Sequence, residues 1–152
     1  MMDADTLFRR ALVLAARAHR GQRDKGGHPY IGHPLRVAAR CHSPEARVAA
    51  LLHDTLEDTP LTAATLAEEG IPSGIVDTVC TLTRKPGEDY GDYIHRIAAN
   101  PLAVEVKIAD LEDNMDIRRL AAVGPADAER LNRYLQAWHT LGGTMQDSPI
   151  QK

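Results

Sequence analysis

Between Leu51 and Pro60 the chain places one imidazole and three carboxylates, His53, Asp54, Glu57 and Asp58, directly behind the apolar run Val48-Ala49-Ala50-Leu51-Leu52. That run reads as a buried helix, so His53 and Asp54 enter a core, where an unpaired carboxylate costs several kcal/mol or takes up a proton. A bound divalent cation removes that cost. The alternative is a capped, solvated helix end with His53 as an ordinary core histidine satisfied by hydrogen bonds. Adjacent helical residues point about 100° apart, so His53 and Asp54 reach one ion only from the rim of a cleft, with Glu57 one turn beyond His53 on the same face.

The segments between Gly and Pro breaks carry helical periodicity, and long alternating patterns are missing, so the expected fold is all-α. The spacing predicts helices near 5–20, 34–41, 44–57, 62–69, 72–83, 89–99, 101–118 and 125–141. Ser43-Pro44 and Asn100-Pro101 each supply a capping side chain followed by proline at the first helical position. With 152 residues the chain fits one domain, enough to bury roughly 70% of its unfolded surface. The expected domain spans 1–152, with a core of about 5–141 and an uninformative tail at 142–152.

Cys41 and Cys80 stand in no metal or disulfide motif, which points to a reducing cytoplasm. Near the N-terminus, Leu7, Phe8, Leu12, Val13 and Leu14 are interrupted by Arg9 and Arg10, which argues for an amphipathic helix rather than a signal peptide or a membrane span. A net charge of −3 and few aromatic residues give no broad field or stacking surface for nucleic acid. A small anionic ligand held by local Arg and Lys side chains is the favoured partner. Leu131, Leu135, Trp138 and Leu141 suit either a monomer core or an interface, so oligomeric state is not legible.

Two further segments stand out. Gly21 to Pro34 is rich in glycine, charge and possible ligands, and Pro34 is expected to start a helix with His33 just outside its first turn, while His28 and His42 read as surface residues. In the second, Val104, Ile108, Leu111 and Met115 form an apolar stripe beside which Asp110 and Asn114 lie one turn apart. Asp110 then suits an anionic ligand and Asn114 an uncharged hydrogen-bond partner. Glu112, Asp113 and Asp116 read as a solvated acidic face.

The order His33, His53-Asp54, Asp110 resembles that of HD-domain metal-dependent phosphohydrolases. More narrowly, His19-Arg20-Gly21-Gln22, Lys25, Gly27, Pro29-Tyr30-Ile31, His33-Pro34, His53-Asp54, Glu57-Asp58-Thr59, Lys107, Ala109-Asp110 and Asn114 resemble the hydrolase domain of the RelA/SpoT family, over roughly residues 5–140. In size the chain is similar to small stand-alone alarmone hydrolases of that family, with no room for a synthetase domain.

The resemblance implies a helical fold and a Mn²⁺-dependent guanosine 3′,5′-bis(pyrophosphate) 3′-pyrophosphohydrolase, in which an activated water releases pyrophosphate and leaves GDP or GTP. It implies His33, His53, Asp54 and Asp110 as metal ligands and Glu57 and Asp58 as the hydrolytic acidic pair, with Glu57 first. This mixed N/O set does not by itself choose Mn²⁺ over Fe²⁺ or another first-row divalent ion. Lys25 and Asn114 match substrate-contacting positions, and Arg130 with Tyr134 resembles an Arg/Tyr pair that contacts phosphate and nucleotide; Tyr134 suits helix packing equally well. Asp24 stands where studied members carry a purine-contacting Arg, with Arg23 one residue earlier, and such a change reverses charge and removes a planar group. Two alternatives follow: an HD phosphohydrolase for another phosphorylated nucleotide or dinucleotide, and a non-catalytic nucleotide-sensing module.

Overall fold

Ser43 and Asn100 do what their positions predict. The Ser43 hydroxyl accepts from the Ala46 N–H and opens α3 (Pro44–Leu52), and the Asn100 carbonyl accepts from Leu102 and Ala103 and opens α8 (Pro101–Asn114). In this computed structural model, which describes residues 2–145, the remaining helices are α1 (Ala4–Ala18), α2 (Gly32–Arg40), α4 (Thr55–Asp58), α5 (Ala63–Glu68), α6 (Ser73–Leu82), α7 (Tyr90–Ala98) and α9 (Pro125–Thr140). No strand occurs among the described residues; a lone antiparallel bridge joins Arg23 to Pro29. The fold is an all-α bundle, as its sequence predicts.

The core is built around α3. Ala46, Val48, Ala49, Ala50, Leu51 and Leu52 are all buried, so this helix is apolar nearly all round, and α1, α2, α6 and α8 pack against it. Burying Leu51 or Leu52 contributes about 1.5–3 kcal/mol each. The carboxylate of Glu105 on α8 accepts from the N–H groups of His42 and Ser43, which pins the α2–α3 turn to α8. Trp138 and Leu141 enter the core, whereas Leu135 stays exposed.

Several boundaries differ from the sequence expectation. The single helix predicted over 44–57 is two helices, interrupted at His53-Asp54. The interruption has a side-chain cause: the Thr55 hydroxyl donates to the Leu52 carbonyl at 2.7 Å, and the His53 ring takes the Ala50 carbonyl at 2.6 Å. These are the carbonyls that a continuing ladder would use. Pro34 is not the start of α2; the helix begins at Gly32 and holds His33 inside its first turn. The helix predicted over 101–118 stops at Asn114, and a 3₁₀ turn follows at Ile117–Arg119. Most of the expected tail, 146–152, lies outside the described residues.

Candidate metal centre and substrate cleft

Three parts of the fold deliver the centre: His33 from α2, His53-Asp54 from the break between α3 and α4, and Asp110 from α8. Donor atoms of His33, His53 and Asp54 lie within 4.8 Å of one another. The Asp110 Oδ1 is 2.9 Å from the His33 Nε2 and 3.2 Å from the His53 Nε2. The Asp54 Oδ2 lies 3.2 Å from the His53 Nε2 and 3.6 Å from the His33 Nε2. Both histidines and Asp110 are buried, and Asp54 is nearly so.

Each imidazole is oriented from behind. His53 Nδ1 donates to the Ala50 carbonyl, and His33 Nδ1 donates to the Asp113 carboxylate at 2.7 Å, so both Nε2 atoms face the centre. Asp110 is held in turn: Lys107 Nζ donates to its Oδ2 at 2.9 Å and the Asn114 amide to its Oδ1 at 3.0 Å. The Tyr30 hydroxyl donates to the Asp54 Oδ2 at 2.5 Å.

Burial would lower the pKa of His53, but the charges of Asp54 and Asp110 outweigh it and hold the ring well above the ordinary histidine value. His33 is likewise raised, with burial overcome by Asp110 and Asp113. Burial opposes ionisation of Asp54 as well, yet His53 and His33 bring its carboxyl down to about 2. Asp110 is held well below the usual range by Lys107 and His53 against its own burial. The carboxylates thus draw positive charge to this point. Two Nε2 atoms and two carboxylates are a donor set that suits a first-row divalent cation, and the backing hydrogen bonds complete the fit.

Glu57 and Asp58 sit on α4, beside this centre. Carboxylate oxygens of Asp54, Glu57 and Asp58 lie within 4.8 Å of one another. Burial, then the neighbouring carboxylates, push both Glu57 and Asp58 above their ordinary values, with the bond from Arg84 opposing the rise at Glu57. Arg84 donates its backbone N–H to Glu57. The loop that carries it is clamped by Arg96, which donates to the carbonyls of Thr81 and Thr83 and to the Glu88 carboxylate.

On the other side of His33 opens a cleft of about 260 Å³, lined by Arg23, Lys25, Asn114, Arg130 and Tyr134, together with Asp24, Tyr30 and Arg119. All five side chains expected to meet substrate border it. Asp24 acts locally: its Oδ1 accepts from the N–H groups of Gly26 and His28, both at 2.9 Å, and so closes the loop. The same turn needs a left-handed residue at Gly27, φ 81°, which only glycine adopts freely. Arg23 donates to the Gly27 carbonyl, and Arg130 pairs with Asp127 at 2.5 Å.

A family model for the HD domain matches residues 11–88, from the middle of α1 past the His33 and His53-Asp54 positions. The chain belongs to the HD-domain family. Among curated proteins, this HD domain is 36% identical over 149 residues to guanosine-3′,5′-bis(diphosphate) 3′-pyrophosphohydrolase of Haemophilus influenzae, covering 86% of this chain and 22% of that protein. It is 32% identical over 156 residues to the bifunctional (p)ppGpp synthase/hydrolase SpoT of Escherichia coli, covering 89% of this chain and 22% of the relative. It is 37% identical over 126 residues to a probable GTP pyrophosphokinase of Mycobacterium leprae, covering 75% and 16%. The chain thus spans about a fifth of the length of these relatives. A solved structure of a metazoan ortholog of SpoT, described as hydrolysing ppGpp, superposes with a TM-score of 0.72 at 23% identity, covering 91% of this chain and 86% of that one, a likeness of fold.

The site of this HD domain also contains residues that sequence reasoning placed elsewhere or left without a role. Asp113 does not belong to a solvated face: it is 2% exposed, accepts from His33 Nδ1 and from Arg36 Nε, and its carboxyl is brought to about 2 by these partners against the opposing effect of burial. Its spacing of three from Asp110, on one side of α8, was the available signal. Lys107 is buried as the partner of Asp110, and Arg119 borders the cleft unforeseen. His28 and His42 are exposed, as expected.

Proposed function

We propose that this HD domain hydrolyses guanosine 3′,5′-bis(pyrophosphate), ppGpp or pppGpp, at its 3′ position, releasing pyrophosphate and GDP or GTP. The observation that carries the reading is the adjacency of the His33–His53–Asp54–Asp110 centre to a cleft bordered by Arg23, Lys25, Asn114, Arg130 and Tyr134. The relatives named for this activity support the same substrate. Mn²⁺, or Fe²⁺ or another first-row divalent ion, held by His33, His53, Asp54 and Asp110, would lower the pKa of a water and offset charge on the phosphoryl oxygens.

The chain's own groups do the rest. Lys25, Arg23, Arg119 and Arg130 supply donors for phosphate oxygens, and Tyr134 and Asn114 flank the nucleoside. Glu57 orients the attacking water and takes its proton, and the neighbouring carboxylate of Asp58 keeps that end of the site acidic. Water attacks the phosphorus esterified to the ribose 3′-oxygen, the P–O3′ bond breaks, and the 3′-oxygen leaves as a hydroxyl. No covalent enzyme intermediate is needed. The substrate is a small nucleotide rather than a nucleic acid, and no helix among the described residues is long and apolar enough to cross a membrane, in keeping with work in the cytoplasm.

Turnover of ppGpp with Mn²⁺ in ¹⁸O-water tests this. The expected products are GDP and pyrophosphate carrying the label; phosphate released from the 5′ side, or no turnover, overturns the assignment. A second reading, another phosphorylated nucleotide or dinucleotide as substrate, draws on Asp24, whose carboxylate is spent on its own loop where a purine-stacking arginine is absent. A nucleotide panel with product identification separates the two. A sensor would instead bind nucleotide with equally slow hydrolysis before and after Glu57→Gln.

A further inference from the structure

Besides His33, three side chains border the cleft and also reach groups of the metal centre. Tyr30 and Asn114 do so directly, donating to the Asp54 Oδ2 at 2.5 Å and to the Asp110 Oδ1 at 3.0 Å, and both are uncharged. Arg119 is the charged one, and it acts from behind. Its Nη2 donates to the Asp113 carbonyl at 2.8 Å, and its Nη1 lies 4.0 Å from the Asp113 Oδ2, the oxygen that accepts from His33 Nδ1 at 2.7 Å. Cleft, Arg119, Asp113, His33 and centre form one unbroken chain of contacts.

Asp113 is buried, so salt and water screen its neighbours' charges weakly. Arg36 bonds its Oδ1 at 2.8 Å, which leaves Oδ2 between the His33 ring and Arg119. A carboxylate behind a metal-binding imidazole makes that ring a stronger donor, and a cation pulling on the same oxygen takes part of this effect away. Arg119 is itself held by main-chain carbonyls, those of Asp113 and Asp116, rather than by a close carboxylate. The acids nearest it in the cleft are spent on their own segments, Asp24 on the N–H groups of Gly26 and His28 and Asp116 on Arg118. Its charge is therefore open to an anion.

We propose that Arg119 is a positioning residue that couples the two halves of the site: a phosphate drawn to its guanidinium in the cleft frees the Asp113 Oδ2 for His33, so that nucleotide and divalent cation tighten each other's binding. The effect runs both ways, because a coupling free energy is the same from either ligand. The inference deepens the reading above and rests on it for a metal at the centre and a nucleotide phosphate in the cleft.

The coupling is read as the ratio of Mn²⁺ affinities of the full chain with and without saturating GDP, by competition with a chelator at free Mn²⁺ too low to load GDP itself. In the parent, GDP is expected to tighten Mn²⁺ about tenfold. Arg119→Gln keeps an uncharged donor and should cut the gain to about threefold or less, the rest being direct attraction between the two ligands. Arg119→Lys keeps the charge and should retain most of the gain. Asp113→Asn should cut it as Arg119→Gln does, and the double variant no further, because both substitutions remove one shared contact. A merely structural role would weaken both ligands with Tm and leave the ratio unchanged. A parental gain in Arg119→Gln overturns the proposal, as do losses that add in the double variant, or GDP that fails to bind the parent or to change its Mn²⁺ affinity. Turnover of ppGpp without the gain removes the proposal and leaves the hydrolase reading; the gain and its loss in the variants, without turnover, remove the hydrolase reading and leave the coupling.

Discussion

The candidate metal centre and the cleft beside it share His33 but are built on opposite terms. At the centre, each imidazole has its outer nitrogen bonded, to Ala50 or Asp113, and Asp110 is held by Lys107 and Asn114. In the cleft, the cations bond to their own segments: Arg23 to the Gly27 carbonyl, Arg130 to Asp127 three residues away. The first arrangement fixes donor atoms in space before any ligand arrives. The second leaves charge at a rim where local partners can be exchanged for phosphate oxygens. The interior donors are thus preorganised, while the cleft cations rest on contacts that a ligand would have to replace.

The widest contrast is expected on removing a donor. His53→Ala or Asp54→Ala should abolish metal retention and turnover together, since an incomplete site holds its ion poorly; metal content measured beside activity checks this, and normal values for both would break the comparison. Glu57→Gln should lower kcat by about 10²–10⁴-fold with metal retained. Because burial raises the Glu57 pKa, the base is lost as pH falls through a value above the ordinary glutamate range, so kcat should drop on that acidic limb and the limb should vanish in the variant.

Asp113→Asn probes the rear support of the centre. It should weaken metal affinity or activity about 10–100-fold, read by competition with a chelator. In metal-free protein the Asp113 carboxyl is held at about 2; a depressed value stabilises the fold above the unfolded carboxylate range and ceases to do so as pH falls toward 2. Urea unfolding between pH 5 and pH 2 should therefore lose less stability in Asp113→Asn than in the parent. The smallest effect belongs to the cleft. Lys25→Ala should raise KM about tenfold, or about 1.4 kcal/mol, with kcat and metal content unchanged, as steady-state kinetics would show.

The proposed metal ligands were legible where their polarity conflicted with apolar surroundings. His53-Asp54 behind Leu51-Leu52, and Asp110 beside Ile108 and Leu111, announce a buried charged site from the chain alone. Asp113 was hidden because it lies in an acidic run, Glu112-Asp113-Asn114-Met115-Asp116, whose members differ only in which side of α8 they occupy. The end of α3 was hidden for another reason: Thr55 and His53 bond back to carbonyls of α3 through their own side chains, and with no glycine or proline between residues 44 and 57 after Pro44 the stretch reads as one helix. The role of Asp24 needed the backbone of its loop, which composition does not specify.

The bend between α3 and α4 has a consequence for how such a protein can be altered. Its angle is set by the Thr55 hydroxyl on the Leu52 carbonyl and by the His53 ring on the Ala50 carbonyl, rather than by glycine or proline. A change as small as Thr55→Val, at a position sealed from solvent, would free one carbonyl, let the helix run on, and swivel the Asp54 carboxylate about the axis. The orientation of a candidate ligand is thus adjustable from inside the hydrophobic interior, by atoms that lie outside the cleft.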